Sequence, residues 1–333
     1  MPEESNNLNL LRTAAVLSVF VAHVLPQSAA SLNLGHAGVL LFFVHTSNVL
    51  MLSLRRHGDS WAQFMIRRFF RIYPLAIVAV FLYEALAMWH IGSQPPVSAI
   101  ALLADLTLTQ NIFHASSMPG VLWSLPFEIQ MYLLLPAVFW AVSRRKQSAI
   151  DLVAAWIAIA FVLAAVILTA PIWIVNLVRF VPCFLAGVMA FALPKGRRLP
   201  PVFLSLLVVI GLAAYSLASD FLLSAWLLCF VVGFGLSMIR ELSARPVAGT
   251  CAFIAKYSYG IYLFHSLFLG TLLHRLGLPL GVPVAFLGTL LTSWLAYQLL
   301  ERRLTALGGR ISTGLFERVH PRPEPLPVFA KAD

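Results

Sequence analysis

Apolar residues fall in blocks of roughly twenty, separated by short polar breaks, and each block is long enough to cross a hydrocarbon core of about 30 Å as a helix. The pattern places ten crossings at about 8 to 26, 37 to 54, 72 to 91, 122 to 142, 149 to 168, 172 to 193, 201 to 218, 221 to 239, 253 to 274 and 282 to 303. Lipid offers the backbone no hydrogen-bond partner, so the blocks are read as helices and the fold class as all-α, a polytopic membrane protein. Residues 57 to 71 mix aromatics with arginines, which predicts a helix in the cytoplasmic interface, with Pro74 in the first turn of the third crossing. The apolar stretch within 92 to 121 is too short for two further crossings and predicts a short extracytoplasmic re-entrant or surface helix. Residues 1 to 304 read as one membrane-embedded domain. Residues 305 to 333, rich in Pro, Arg and polar side chains, read as a cytoplasmic, disordered tail.

Composition agrees, since 60% of the 333 residues are hydrophobic and only 11% are charged, more apolar surface than a water-soluble domain of this size can hide. A formal charge of +10 raises nucleic acid as a partner, but the basic residues sit in alternate breaks, which is the signature of membrane orientation instead. Arg55, Arg56, Arg67, Arg68 and Arg71 fall on one side, followed by Arg144, Arg145 and Lys146, then Lys195, Arg197 and Arg198, then Arg240, Arg245 and Lys256. The positive-inside rule makes that side, and both termini, cytoplasmic. The two glutamates ahead of the single arginine make a poor signal peptide, so the first helix is expected to be retained. Cys183, Cys229 and Cys251 lack metal or disulfide spacing and read as packing residues. No internal repeat of the kind common in secondary transporters is visible by eye.

Candidate chemistry starts on the first helix. Arg12 and His23 are eleven positions apart, almost three turns, so both side chains point the same way with a rise of roughly 16 Å between them. That reach matches a pantetheine arm whose phosphates are held by arginines at a cytoplasmic mouth. Isolated, the pair reads equally well as a packed histidine and a snorkelling arginine. Glu128, in WSLPFE near the start of the fourth crossing, needs a partner to be tolerated there, with His23, an acceptor hydroxyl or Arg179 as candidates. Tyr262 and His265 share one face of the ninth crossing.

The succession LNLLRTAAVLSVFVAHV, GVLLFFV from Gly38, RRFFRIYPL from Arg67, WSLPFEIQMYLLLP from Trp123, RFVPCFLAG from Arg179, SYGIYLFH from Ser258 and a closing Glu301 resembles the acyltransferase 3 family of membrane O-acyltransferases over residues 8 to 303. The resemblance implies His23 as the catalytic histidine with Arg12 as its partner in handling the donor. It implies Glu128 in the catalytic centre, and Arg67, Arg68 and Arg71 at the phosphates of CoA, where guanidinium forks suit phosphate oxygens. Trp123, Ser124, Arg179, Tyr262 and His265 complete the expected substrate-binding set, with Trp123 and Ser124 as oxyanion-stabilising candidates. The chain departs from the pattern after FFV, where His45, Thr46, Ser47 and Asn48 replace a small Ser-Gly pair, and at Leu40 in place of an acidic residue.

The implied reaction moves an acetyl or other short acyl group from cytoplasmic acyl-CoA to a hydroxyl of a carbohydrate acceptor, a surface polysaccharide or lipid-linked glycan. His23 would serve as general base or acyl relay. The membrane body alone is expected to suffice, in a bacterial-type inner membrane, with lipids as partners and no permanently bound cofactor. No metal site is expected, because His23, His36, His45 and His114 show no helical metal spacing within one segment. The competing class is a multi-pass transporter with His23, Glu128 and Arg179 along its path. The sequence leaves acceptor, acyl chain, side of modification and oligomeric state open.

Overall fold

The computed structural model describes residues 5–26, 28–57, 60–89, 97–144, 148–194, 196 and 198–317, and every named element among them is helical. Arg145, Lys146, Lys195, Arg197 and the tail from 318 onward lie outside the described residues. Helix α1 spans Asn6–Val24, started by Ser5, whose hydroxyl accepts from Leu8 N–H, and ended at Leu25 by the extended backbone that precedes Pro26. Helix α2, Ala29–His57, closes with Arg55, Arg56 and His57 in its last turn, where cations complement the helix dipole.

Helix α3, Trp61–Met88, opens on a capping box formed by Ser60 and Gln63 and runs unbroken through Pro74. The separate interfacial helix expected over 57 to 71 is therefore absent among the described residues. From Trp61 its arginine-bearing part is continuous with the helix of the third crossing, and Pro74 sits inside that helix, its missing N–H forgoing one bond to the Phe70 carbonyl. Short helices α4 (Ala99–Thr107) and α5 (Gln110–Phe113) occupy the expected apolar loop, followed by a 3₁₀ turn Gly120–Ser124 and α6 (Leu125–Ser143).

Next come α7 (Ala149–Thr169), α8 (Ile172–Val178), α9 (Val181–Ala192), α10 (Val202–Ser216), α11 (Phe221–Met238) and α12 (Arg245–Ala296). Helix α12 breaks at Gly277, whose φ of 68° suits glycine, and continues through a π turn Tyr297–Glu301 into α13, Arg302–Glu317. The chain is thus helical to Glu317, past residue 304, where a disordered tail is expected. Gly308 lets the ring of Phe70 approach the α13 backbone, and Ser312 is buried against Gln63 and Arg67 of α3.

Among the described residues eight stretches are long and apolar enough to cross a bilayer. Two of the ten expected crossings are not among them. Residues 201 to 218 fall on α10, whose 15 residues span about 22 Å. Residues 253 to 274 fall on the first arm of α12. Helix α2 is the central element, with 78% of its apolar window buried against 17% for α7, so α7 faces lipid and α2 carries the core. Small residues allow the central helices to touch backbone to backbone. A methyl group on Gly38 would meet the Ala15 carbonyl of α1, one on Gly187 of α9 would overlap the Val44 carbonyl of α2, and one on Gly233 of α11 would overlap the Ala186 carbonyl of α9.

Candidate active site

Five arginines converge at one end of the bundle, three of them held by different neighbours. Arg67 and Arg71 lie four residues apart on one face of α3. Arg67 Nε donates to Ser312 Oγ of α13 at 3.1 Å, Arg68 Nη2 donates to Ser53 Oγ of α2 at 3.0 Å, and Arg71 pairs with the buried Glu301 at 3.4 Å. With Arg12 and Arg56 they line a vestibule of about 690 Å³, which also holds Glu241. Guanidinium groups fixed in this way suit a polyanion such as a phosphate ester.

The vestibule leads to an inner chamber of about 80 Å³ whose polar lining includes Ser124, Glu128, Tyr132, Ser258 and Tyr262. Arg12, His45, Val49, Arg68 and Arg71 line both spaces and form the neck between them. Glu128 accepts a short hydrogen bond from the Tyr132 hydroxyl one turn along α6, and the charges acting on it are Arg12, Arg68 and Arg71. Its partners are thus neither His23 nor Arg179, the protein candidates read from the sequence. Tyr262 donates its hydroxyl proton to the Val121 carbonyl at 2.7 Å, so Ser124 must donate to Tyr262 at 2.8 Å. The Ser124 proton is therefore already committed, which argues against Ser124 as an oxyanion donor in this arrangement.

Beyond Tyr262 lies a histidine pair. His265, on the next turn of α12, is buried, and its Nδ1 contacts the carbonyls of Ile261 and Tyr262 at 3.1 and 2.8 Å. Carbonyls only accept, so Nδ1 carries the proton and Nε2 bears the lone pair. That Nε2 lies 3.4 Å from His23 Nδ1, whose other neighbour is the Val19 carbonyl at 2.8 Å. The same logic puts the His23 proton on Nδ1, shared between the two acceptors, and leaves Nε2 as a free lone pair on an exposed ring. The two rings meet edge to face at 4.7 Å.

Neither His23 nor His265 lines the vestibule or the chamber, and Tyr262 stands between, its ring 6.3 Å from that of His265. The open gap from Arg12 to His23 expected from their register is thus filled by α12, which packs along α1. Trp123 and Arg179 belong to neither space. Trp123 packs against His36 at 5.3 Å, and Arg179 lies 4.8 Å over the ring of Phe180, in an aromatic cluster around the 3₁₀ turn and the α8–α9 break.

The structure therefore gathers Arg12, Arg67, Arg68, Arg71, Ser124, Glu128 and Tyr262 around the two spaces, sets His265 and His23 just beyond them, and leaves Trp123 and Arg179 apart. Tyr132 and Arg56 line the site without having been singled out. Tyr132 was signalled by its spacing of four from Glu128, whereas Arg56 looked like one more cation of the basic side.

Comparison with known proteins shows the family. The profile of the acyltransferase 3 family, described as an acyltransferase domain, matches residues 5–298. A protein of Acidianus two-tailed virus named as an acetyltransferase, ORF330, is 28% identical over 295 residues, covering 83% of this chain and 86% of its own length. An O-acetyl transferase of Shigella phage Sf6 is 23% identical over 333 residues, covering 90% of this chain and 96% of its own. No solved structure matches the chain at comparable stringency. With every helix from α1 to α12 inside the matched region, the chain belongs to the acyltransferase 3 family and is an acyltransferase.

Proposed function

We propose that the protein transfers an acetyl or similarly short acyl group from acyl-CoA to a hydroxyl of a carbohydrate, a surface polysaccharide or lipid-linked glycan. The phosphates of CoA rest on the arginines of the vestibule, which faces the cytoplasm of a bacterial-type inner membrane, and both termini lie on that side. The pantetheine arm passes the neck, and its thioester occupies the inner chamber beside Glu128 and Tyr262. The acceptor reaches the exposed ring of His23. Its oxygen attacks the thioester carbonyl carbon while its proton passes to His23 Nε2, the C–S bond breaks, and the proton goes on to the departing thiolate, giving ester and free CoA. In an acyl-histidine variant Nε2 itself takes the acyl group first. Because Tyr262 separates the chamber from the histidine pair, either route requires that side chain to swing aside.

The observation that carries this reading is the unbroken order of arginine vestibule, neck, small chamber, Tyr262, His265 and His23 along the bundle. The names of the two viral relatives favour acetyl as the group moved and, in one case, oxygen as its destination. Purified protein supplied with radiolabelled acetyl-CoA and candidate glycans tests it. Label should pass to the glycan with wild type. His23→Ala should lower kcat by roughly 10²–10⁴-fold, the usual contribution of a general base, and Arg12→Ala should also impair transfer. Undiminished transfer by folded His23→Ala would reject the assigned base.

A further inference from the structure

We propose that His45 is a positioning residue for the donor, and that its imidazole hydrogen-bonds an amide of the pantetheine arm as the arm passes from vestibule to chamber. His45 lines both spaces, which places its ring at the neck. It is 5% exposed, yet among the described residues neither ring nitrogen makes a hydrogen bond. With its ring on the wall of both spaces and no bond to the described residues there, its donor and acceptor are available to whatever fills them.

Its neighbours in sequence sharpen the point. In the polar run that departs from the family pattern, Ser47 donates to the Phe43 carbonyl at 2.8 Å and Asn48 donates to the Gly187 carbonyl of α9 at 3.2 Å. Those two side chains serve the packing of α2. His45, two residues before Ser47 and so across the helix from it, lines the two spaces instead.

The chemistry of the surroundings selects the ligand group. Arg12 and Arg71 flank the ring and act on it electrostatically, and they are better phosphate ligands than imidazole is. A thioester carbonyl accepts only. A neutral imidazole offers one donor and one acceptor, and a secondary amide offers the same pair reversed. In acyl-CoA such amides lie in the arm, between phosphates and thioester, which is the stretch that must occupy the neck when the phosphates sit among the arginines. The inference rests on acyl-CoA being the donor.

The test measures equilibrium binding of CoA, and separately of its adenosine bisphosphate half, to full-length protein in nanodiscs. His45→Leu should weaken CoA binding roughly five- to tenfold, the size of one neutral hydrogen bond, and leave binding of the nucleotide half within about twofold. His45→Gln, which keeps a donor and an acceptor, should hold CoA within about threefold of wild type. The unliganded melting temperature checks folding, and His45→Met, a flexible apolar replacement, stands in if His45→Leu does not fold. CoA binding unchanged in the apolar variant overturns the proposal, and so does an equal loss for both ligands, which would mark a general effect on the arginine cluster. If wild type binds neither ligand, the acyl-CoA reading fails first and this inference falls with it. If wild type and the apolar variant both bind CoA alike, only the role of His45 fails.

Discussion

Arg71 is asked to do two things, and one pair of substitutions separates them. Its guanidinium lies 3.4 Å from the carboxylate of Glu301, whose side chain is 2% exposed, while its own side chain is 30% exposed to the vestibule. At that distance and an effective dielectric constant near 20 the direct attraction is about 5 kcal/mol, much of it offset by taking both ions out of water. Removing one partner of a buried pair costs about 3–5 kcal/mol because the other charge is stranded. Water reaching the Arg71 side trims this to about 2–3 kcal/mol for Arg71→Leu. At about 2–4 °C per kcal/mol, the melting temperature should fall by about 5–10 °C, followed by tryptophan fluorescence in nanodiscs. The double variant Arg71→Leu, Glu301→Leu removes the stranded charge and should melt within about 1 kcal/mol of wild type. Donor binding should stay weak in both, because Glu128 keeps only Arg12 and Arg68 beside it and the neck has lost a cation. A single variant melting within about 2 °C of wild type would refute the reasoning, as would a double variant no more stable than the single.

Three further outcomes follow from other parts of the molecule. His265→Leu removes the acceptor that helps hold the His23 proton on Nδ1 and should lower kcat about tenfold; combined with His23→Ala it should cost no more than His23→Ala alone, and additive losses would separate the two residues. Ending the chain after Leu304 should strip the cover from Phe70 and the Ser312 hydrogen bond from Arg67, seen as faster limited proteolysis and a lower melting temperature; an unaffected melt would show α13 to be dispensable. Burial pushes the Asp105 carboxyl up to about 6, against bonds from Gln110 and the Met118 N–H and with Glu84 adding to the rise. Its protonated form therefore favours the folded state, a contribution full below about pH 4 and lost as pH rises through about 6, so the melting temperature should fall across that window in wild type and stay flat in Asp105→Asn.

Hydropathy alone made most crossings legible, because a helix in lipid must be apolar over a fixed length. The register of Arg12 with His23 is a spacing within one helix and could be read; the spacing of Glu128 and Tyr132 is another, but the partner for Glu128 was sought on other segments. What the sequence hid depends on contacts between distant segments. His265 meets His23 across 242 positions, through the packing of α12 on α1. The same packing sets Tyr262 across a path that the register of α1 leaves open. Helix α13 was hidden by the Pro, Arg and polar content of the tail it opens; Gly308 and Ser312 in fact face α3, glycine being the residue that admits the Phe70 ring. Pro74 misled in the opposite sense, marking a boundary that α3 ignores. His45 stood out only as a break in a motif, and its place at the neck needed the cavity itself.

The close backbone approaches at Gly38, Gly187 and Gly233 tie α1, α2, α9 and α11 into a slab that is tightest at these three points. At these points the layers have little room to shift against one another. Widening between Arg12 and His45, if the proposed donor passes there, is then easier from across the passage, where α3 and α6 contribute flexible arginine, glutamate and tyrosine side chains. The protein thus resembles a vice with one fixed jaw, and substitutions that stiffen α3 or α6 should slow loading of the donor more than those that stiffen the slab.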